Sequence, residues 1–196
     1  MTLAYSERAI HDRLAPLGRR SKTAVAAANA ERLFPLYMLY SRAVCDMSTP
    51  VVLRSALDDV WAAVLTGMTN TSADPYGSAL SLVPKDDDPT WVSESAFAQN
   101  AAAAVAYAWQ VWVTDDAQQA VWGLRQTIEA ADFAAQSDTQ GPNLYFSPDA
   151  LVEAAAAAIE HDIELAEHSA DELLLLVEES KTQDSWAWQV AMRWQI

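Results

Sequence analysis

The sequence predicts an all-α protein, one domain (residues 1–196) built as a bundle of six to seven helices and followed by a C-terminal extended segment or strand. Alanine is abundant and only five glycines occur among 196 residues, and alanine has the highest helix propensity. Apolar residues recur at helical spacing, with proline, glycine and capping residues between the runs. Hydrophobic residues make up 52% of the chain, which is enough for a substantial core and too many for a disordered chain.

The first and third helices are predicted from the residues that begin and end them. The first runs over about residues 6–15 and stops at Pro16. The third opens with Thr49 as N-cap and Pro50 at the first helical position, and it ends at Gly67. Proline fits the first turn because its missing N–H is not needed there, and glycine accepts the left-handed backbone that commonly ends a helix.

The second helix is predicted to run from about Ser21 to Met47, with a kink or break at Pro35. Proline lacks a backbone N–H, and its ring clashes with the carbonyl four residues earlier, here that of Glu31. We therefore expect helical geometry to be lost or bent just before Pro35.

Residues 68–91 form the longest irregular stretch, with a short helix expected near Ser78. The acidic run 86–88 lacks the alternating ligands, glycine turn and distal glutamate of a calcium loop, which favours a solvated charge run. A fourth helix is predicted over about 93–113. It is almost uniformly apolar from Ala101 onward, so we expect it to be the most buried element.

The fifth helix is predicted to run to about Ala135 from a cap in the segment Thr114-Asp115-Asp116. The sixth opens at Ser147, followed by a proline at its first position, and runs to about His168. A capping box over residues 169–172 predicts a seventh helix over 173–181, or alternatively a continuation of the sixth.

The C-terminal tail (residues 186–196) alternates large apolar side chains with alanine, glutamine or arginine. On a strand, this alternation places six apolar side chains on one face: Trp186, Trp188, Val190, Met192, Trp194 and Ile196. A short helix would divide the same residues into two stripes, and we expect the strand. Two roles remain open. The tail seals the core of its own chain, or Trp186, Trp188 and Trp194 form an interface with another chain, as in a homodimer.

Charge is distributed unevenly along the chain. The net charge is −15, and from residue 23 onward there are 7 basic and 25 acidic residues. Such a chain repels the phosphates of nucleic acids and of anionic membranes, which basic side chains would have to neutralise. The composition therefore predicts neither nucleic-acid nor membrane binding, and it is compatible with a basic protein partner.

A cytoplasmic location is expected from three observations. The single cysteine, Cys45, allows no intramolecular disulfide, and its apolar surroundings predict an inert core thiol. The longest apolar run, residues 101–113, is shorter than the roughly 20 residues that cross a bilayer as a helix. The N-terminus lacks the continuous apolar region of a signal peptide.

One candidate metal site lies on the sixth predicted helix, where His161, Glu164 and His168 occur at positions i, i+3 and i+7. This spacing puts all three on one face, and such side chains bind transition metals. The same pattern is typical of a solvated charged stripe. Since no phosphate-binding glycine loop, catalytic triad or Cys/His metal spacing occurs, we predict no cofactor.

Glu31, Arg32, Asp58 and Asp59 form a second charged cluster, on two adjacent predicted helices. Charges this close to apolar runs need partners, because an unpaired buried charge is costly. We expect a structural salt-bridge cluster that fixes how the second helix docks. The alternative is a carboxylate pair tuned for acid–base chemistry.

Three short segments carry a family resemblance: residues 30–37 (AERLFPLY), 57–61 (LDDVW) and 162–165 (DIEL). In order and spacing, over about residues 20–180, they resemble domain-of-unknown-function family 416 (DUF416), a small bacterial family in which a Glu-Arg pair precedes an aromatic-Pro-x-aromatic element. The 68–91 loop, Asn100 in place of an acid, the alanine-rich fourth helix and the Trp-rich tail depart from that pattern. The resemblance implies an all-helical cytosolic bacterial protein. It implies no activity and assigns no functional residue.

Two hypotheses for function follow. The first is a non-enzymatic protein-interaction module, for instance an acidic immunity-type neutraliser of a basic partner, supported by the acidity and the aromatic tail. The second is a metal-dependent enzyme that uses His161, Glu164 and His168. The absence of catalytic motifs favours the first.

Overall fold

The structure of the protein is a computed structural model that describes residues 5–69, 74–85, 87, 89, 91–138, 148–168 and 173–194. These residues form nine helices and no strand, which confirms the all-α prediction. The helices are α1 Glu7–Leu14, α2 Arg19–Ala43, α3 Thr49–Thr66, α4 Pro75–Ser81, α5 Ser95–Thr114, α6 Ala117–Asp138, α7 Pro148–His168, α8 Leu173–Ser180 and α9 Trp186–Arg193.

Helix α2 lies at the centre of the bundle, where it packs against α3, α5, α6, α7, α8 and α9. Of its 25 residues, 17 are buried, against 11 of 20 in α5. The expectation that the alanine-rich α5 is the most buried element is therefore wrong, although α5 is the main neighbour of α2. Runs of alanine on both helices, such as 26–28 and 101–104, let the two backbones approach closely.

Helix α2 continues without interruption through Pro35, so the predicted break is absent. A proline inside a helix costs about 3 kcal/mol. Buried side chains on both sides of Pro35, including Leu33, Leu36 and Tyr37, hold the helix in the core and outweigh that cost. The helix ends at Ala43 rather than at Met47.

Cys45 lies just beyond the end of α2 and is exposed, so the prediction of a core thiol is wrong. Its backbone adopts a left-handed conformation with φ of 55°. This sharp reversal turns the chain from α2 toward α3 and leaves the thiol on the outside. Apolar residues of α2 are buried as far as Leu39, but the helix leaves the core and ends at Ala43, before it reaches the cysteine.

Local signals predicted the other boundaries well. Gly67 ends α3 in the left-handed conformation with φ of 73°, as expected, whereas the N-cap is Ser48 rather than Thr49. The short helix expected near Ser78 is α4, capped by the Asp74 side chain. The predicted caps at Ser147 and at residues 169–172, as well as residues 86, 88 and 196, lie outside the described part of the chain.

The C-terminal tail forms a helix, α9, so the predicted strand is wrong. Ser185 caps the helix, since its hydroxyl accepts a hydrogen bond from the backbone N–H of Trp188. The buried positions follow helical spacing: Trp186, Ala187, Val190 and Ala191. Met192, which the strand would have buried, is exposed. A helix satisfies its backbone hydrogen bonds internally, whereas a single strand in a helical bundle has no pairing partner.

None of the helices in the described residues combines the length and the apolar character needed to cross a membrane.

Candidate functional site

A buried polar network joins α2, α6 and α7 at the middle of the bundle. Asp162 on α7 is fully buried, and both of its carboxylate oxygens face the guanidinium of Arg32 on α2. The Arg32 Nη2–Asp162 Oδ1 distance is 2.7 Å. Asn29 Nδ2 donates to Asp162 Oδ2 at 3.1 Å, and Thr127 Oγ1 on α6 donates to Asn29 Oδ1 at 3.2 Å. Three helices are thus joined by one chain of hydrogen bonds.

The electrostatics of this network are set by two opposing effects. Burial raises the pKa of the Asp162 carboxyl above its ordinary value, and the charge and hydrogen bonds of Arg32 oppose that rise. A two-point contact between a guanidinium and a carboxylate is among the strongest polar contacts in proteins. Removing either partner would leave the other as an uncompensated buried charge.

A second charged group connects α2 to α3. Arg54 Nη2 lies 2.9 Å from Glu31 Oε2, and Arg54 Nε donates to Asp58 Oδ1 at 2.9 Å. The indole N–H of Trp61 donates to the same Glu31 oxygen at 3.1 Å. The Arg54 guanidinium also lies over the Phe34 ring, 5.2 Å from its centroid. Glu31 is only 8% exposed, and both of its carboxylate oxygens accept hydrogen bonds, which compensates its buried charge.

The structure divides the charged cluster predicted from the sequence. Glu31 and Asp58 share Arg54, whereas Arg32 turns to Asp162 because consecutive helical residues point about 100° apart. Asp59 lines a separate cavity between α3 and α4. Sequence reasoning missed Arg54 and Asp162 as partners. The i, i+4 spacing of Arg54 and Asp58 was a detectable signal, whereas nothing local links Arg32 to a residue 130 positions away.

The three candidate metal ligands on α7 are not brought together as a ligand set. His161 Nε2 lies 2.7 Å from Glu179 Oε2 on α8, and His168 Nδ1 lies 2.6 Å from the backbone carbonyl of Glu164 in its own helix. The Glu164 side chain is exposed. Within the described ranges, no group of three or more His, Cys, Asp or Glu residues has the geometry to hold a metal ion.

The tail tryptophans pack against their own chain to different degrees. Trp186 is buried, while Trp188 and Trp194 are half-buried. The Trp194 indole N–H donates to Glu94 Oε1 at 3.1 Å, and its ring stands edge-on to Phe97 with centroids 5.0 Å apart. These contacts fasten the end of α9 to the start of α5. The predicted interface of these three tryptophans with another chain stays a prediction.

A cavity of about 410 Å³ opens between α7 and the segment that joins α8 to α9, next to the buried network. Its polar lining includes Arg32, His161, Glu179, Asp184 and Trp186. The indole Nε1 of Trp186 is buried and has no hydrogen-bond partner in the described structure. Buried polar groups nearly always have a partner, so this donor is an exception, and it has no accessible surface toward the cavity.

No protein-family model matches the chain, and no curated protein matches it. Among solved structures, the crystal structure of a DUF416 family protein from Shewanella baltica OS155 superimposes on 93% of this chain and 91% of its own, with a TM-score of 0.58. The chain has the DUF416 fold. This confirms the resemblance predicted from the sequence, and at 18% identity it concerns the fold alone.

The DUF416 resemblance gains a physical basis from the contacts described above. The three segments that carry it lie apart in the sequence, at residues 30–37, 57–61 and 162–165. In the structure, Arg32 of the first segment donates hydrogen bonds to Asp162 of the third segment. Glu31 of the first segment accepts a hydrogen bond from the indole N–H of Trp61 in the second segment. These DUF416-like segments therefore encode the contacts that hold α2 between α3 and α7.

Proposed function

We propose that this protein is a non-enzymatic interaction module whose acidic surface binds a basic protein partner, in the manner of an immunity-type neutraliser. One observation carries the proposal. Acidic residues outnumber basic ones by 27 to 12, and most of the basic side chains are already engaged by other parts of the same chain.

At least seven of the 12 lysines and arginines make such contacts within the described residues, three of them (Arg19, Arg20 and Arg125) at exposed positions. Four of them pair with carboxylates of other helices: Arg13 with Glu160 and Glu167, Arg32 with Asp162, Arg54 with Glu31, and Arg125 with Glu7. Lys22 pairs with Asp115 at the end of α5. Arg20 donates to the last carbonyls of α3, and Arg19 lies over the ring of Trp112. Because each ion pair uses a carboxylate as well as a basic group, the net charge of −15 resides on the remaining side chains.

Part of the acidic surface lies along α7 and α8. Glu153 and Glu164 on α7 and Glu178 on α8 are exposed. Unscreened carboxylates on a rigid surface raise the association rate of a basic partner and favour it over other partners, an effect that falls steeply with ionic strength.

The test is co-purification with the tagged chain from its native cells at low salt, followed by affinity measurements on the partner that is found. We expect the affinity to fall steeply between 50 and 300 mM salt, because exposed charges are screened over about 8–10 Å at 0.1–0.15 M ionic strength. A partner retained equally well at high salt would contradict the electrostatic proposal.

Two variants with the same change in net charge test whether the partner binds the α7 surface or is attracted by the net charge of the whole protein. E153K/E164K changes two exposed acids of α7, and D87K/D132K changes two exposed acids elsewhere, so both alter the net charge equally. We expect the first variant to weaken binding at least tenfold and the second to stay within about threefold. Equal losses in the two variants would mean that net charge alone attracts the partner, and the α7 surface would not be the binding site.

A further inference from the structure

We propose that the outer face of α3 is a self-association surface, on which a second copy of this chain docks antiparallel and places its Leu65 in the groove between α3 and α4. The inference goes beyond the proposed binding of a basic protein, because it concerns a different surface and an apolar contact.

Exposed apolar side chains are concentrated on α3 and at its two ends. Twelve large apolar side chains are exposed among the described residues, and five of the twelve fall within residues 47–68. These five are Met47, Val51, Val52, Leu65 and Met68. Single apolar side chains are normal on a protein surface, but several on one element mark a surface that another molecule covers.

The same face carries little charge. Residues 47–69 contain one basic and two acidic side chains, whereas the whole chain has a net charge of −15. One of the two acids, Asp58, pairs with Arg54 of the same helix. A strongly acidic protein repels a second copy of itself, so self-association is favoured where the surface has little charge. The α3 face therefore suits a second copy better than the acidic α7 surface does.

The exposed residues of α3 are self-complementary about the middle of the helix, between positions 58 and 59. In an antiparallel pair centred there, Val52 lies opposite Leu65 of the second copy, and Ser55 lies opposite Ala62; all four side chains are exposed. The small residues near the middle let the two helices approach closely, and the large ones close the contact at both ends. A two-fold symmetric dimer requires this kind of self-complementary surface.

A groove between α3 and α4 provides the space for Leu65 of the second copy. The groove has a volume of about 420 Å³, and its apolar lining consists of Val51, Val52, Ala56 and Pro75. Since Val52 is the residue opposite Leu65 in the antiparallel pair, the incoming leucine meets this lining. The two-fold axis repeats the contact, so that each copy both fills a groove and has its own groove filled.

The dimer should be weak and should tighten as salt rises. An 18-residue helix is about 27 Å long and about 10 Å across, so its face covers roughly 300 Å². A standard stable interface buries about 800 Å² on each partner, and we therefore expect a dissociation constant of about 10–100 μM. Asp58 and Asp59 of both copies would lie near the axis, and salt screens their repulsion together with that of the net charge. The proposed basic partner shows the opposite salt dependence, so the two proposals can fail independently.

Sedimentation velocity on the full chain at about 5–500 μM protein, in about 50 and 300 mM salt, tests the proposal. We expect a monomer at the lowest concentration and a species of twice its mass at the highest, with tighter association at the higher salt. V52K and L65E each place a charge in an apolar contact and should weaken the association at least tenfold. The control L174K makes the same change in charge as V52K at an exposed leucine of α8, and it should stay within about twofold of the parent chain.

A mixture of V52K and L65E tests the antiparallel register. In the mixed dimer the introduced lysine faces the introduced glutamate at one end, and the unaltered Val52 and Leu65 meet at the other end, so association should return. Both positions are exposed, and circular dichroism should show that each variant keeps the parent fold. The proposal is overturned if the parent chain stays monomeric at about 500 μM in 300 mM salt, which would leave the α3 face to a different protein. It is also overturned if either variant dimerises as tightly as the parent, or if the mixture associates no better than each variant alone.

Discussion

Replacing Asp162 by alanine is the sharpest perturbation of this fold. The substitution removes the carboxylate that accepts hydrogen bonds from Arg32 and Asn29. The Arg32 side chain, only 6% exposed, is then left as a buried charge without its partner. Breaking a buried ion pair by removing one partner costs about 3–5 kcal/mol, and the hydrogen bond from Asn29 adds about 1 kcal/mol. The expected loss of about 4–6 kcal/mol is a large share of the roughly 5–15 kcal/mol that stabilises a typical protein.

The measurements are urea unfolding, which gives the free energy, and thermal unfolding, which gives Tm, both followed by circular dichroism at neutral pH. For a domain of this size each kcal/mol lowers Tm by about 2–4 °C, so D162A should melt roughly 10–20 °C below the parent protein. The control E178A removes an exposed carboxylate on α8 and should change stability by less than about 0.5 kcal/mol.

The double variant R32M/D162L decides whether the loss comes from the orphaned charge. Replacing both charged groups by apolar ones removes the desolvation penalty together with the attraction, so the double variant should be more stable than D162A. If D162A loses less than about 1 kcal/mol, or if R32M/D162L is as unstable as the two single variants combined, the network does not hold α2 to α7 as argued.

Three further outcomes are expected. Truncation after Lys181 removes α9 and uncovers the core, so Tm should fall by several degrees. An unchanged Tm together with an unchanged oligomeric state by light scattering would show that the tail neither seals the core nor forms an interface. Hydrogen bonds from Arg13 lower the pKa of Glu167 below its ordinary value of 4.5 in the folded protein. Below pH 4.5 the Glu167 carboxylate therefore takes up protons more readily in the unfolded chain than in the folded one. The stability that the Arg13–Glu167 pair contributes is lost as the pH falls through this range. When the pH is lowered from about 5 to about 3, the unfolding free energy of E167Q should therefore fall by less than that of the parent protein. Parallel pH profiles of the two proteins would contradict this. Exposed Cys45 should react fully with a maleimide in the native protein, and labelling that requires denaturant would mean that the thiol is covered.

Local chemistry explains which parts of the fold could be predicted. The helical class, most helix boundaries and the cap at Gly67 follow from propensity, apolar spacing and glycine's tolerance of positive φ, all of which act within a few residues. Pro35 shows the limit of such reasoning. Its local cost was correctly identified, but the packing of α2 against six other helices outweighs it.

The tail shows why a short periodic pattern is ambiguous. Trp186, Val190 and Trp194 share a face both on a strand and on a helix, because four residues are two strand repeats and about one helical turn. The helix is favoured because Ser185 caps its first turn and because no strand among the described residues could pair with an extended tail.

The sequence alone predicted that Glu31 and Arg32 need partners, because charges embedded in apolar runs cannot be buried unpaired. Only the tertiary structure decided which partners they have. Arg32 meets Asp162 and Glu31 meets Arg54 because the packing of α2 between α3 and α7 brings distant positions together. The cavity that places Trp186 beside Arg32 arises in the same way, from helices separated by more than a hundred residues, and no spacing rule along the chain specifies it.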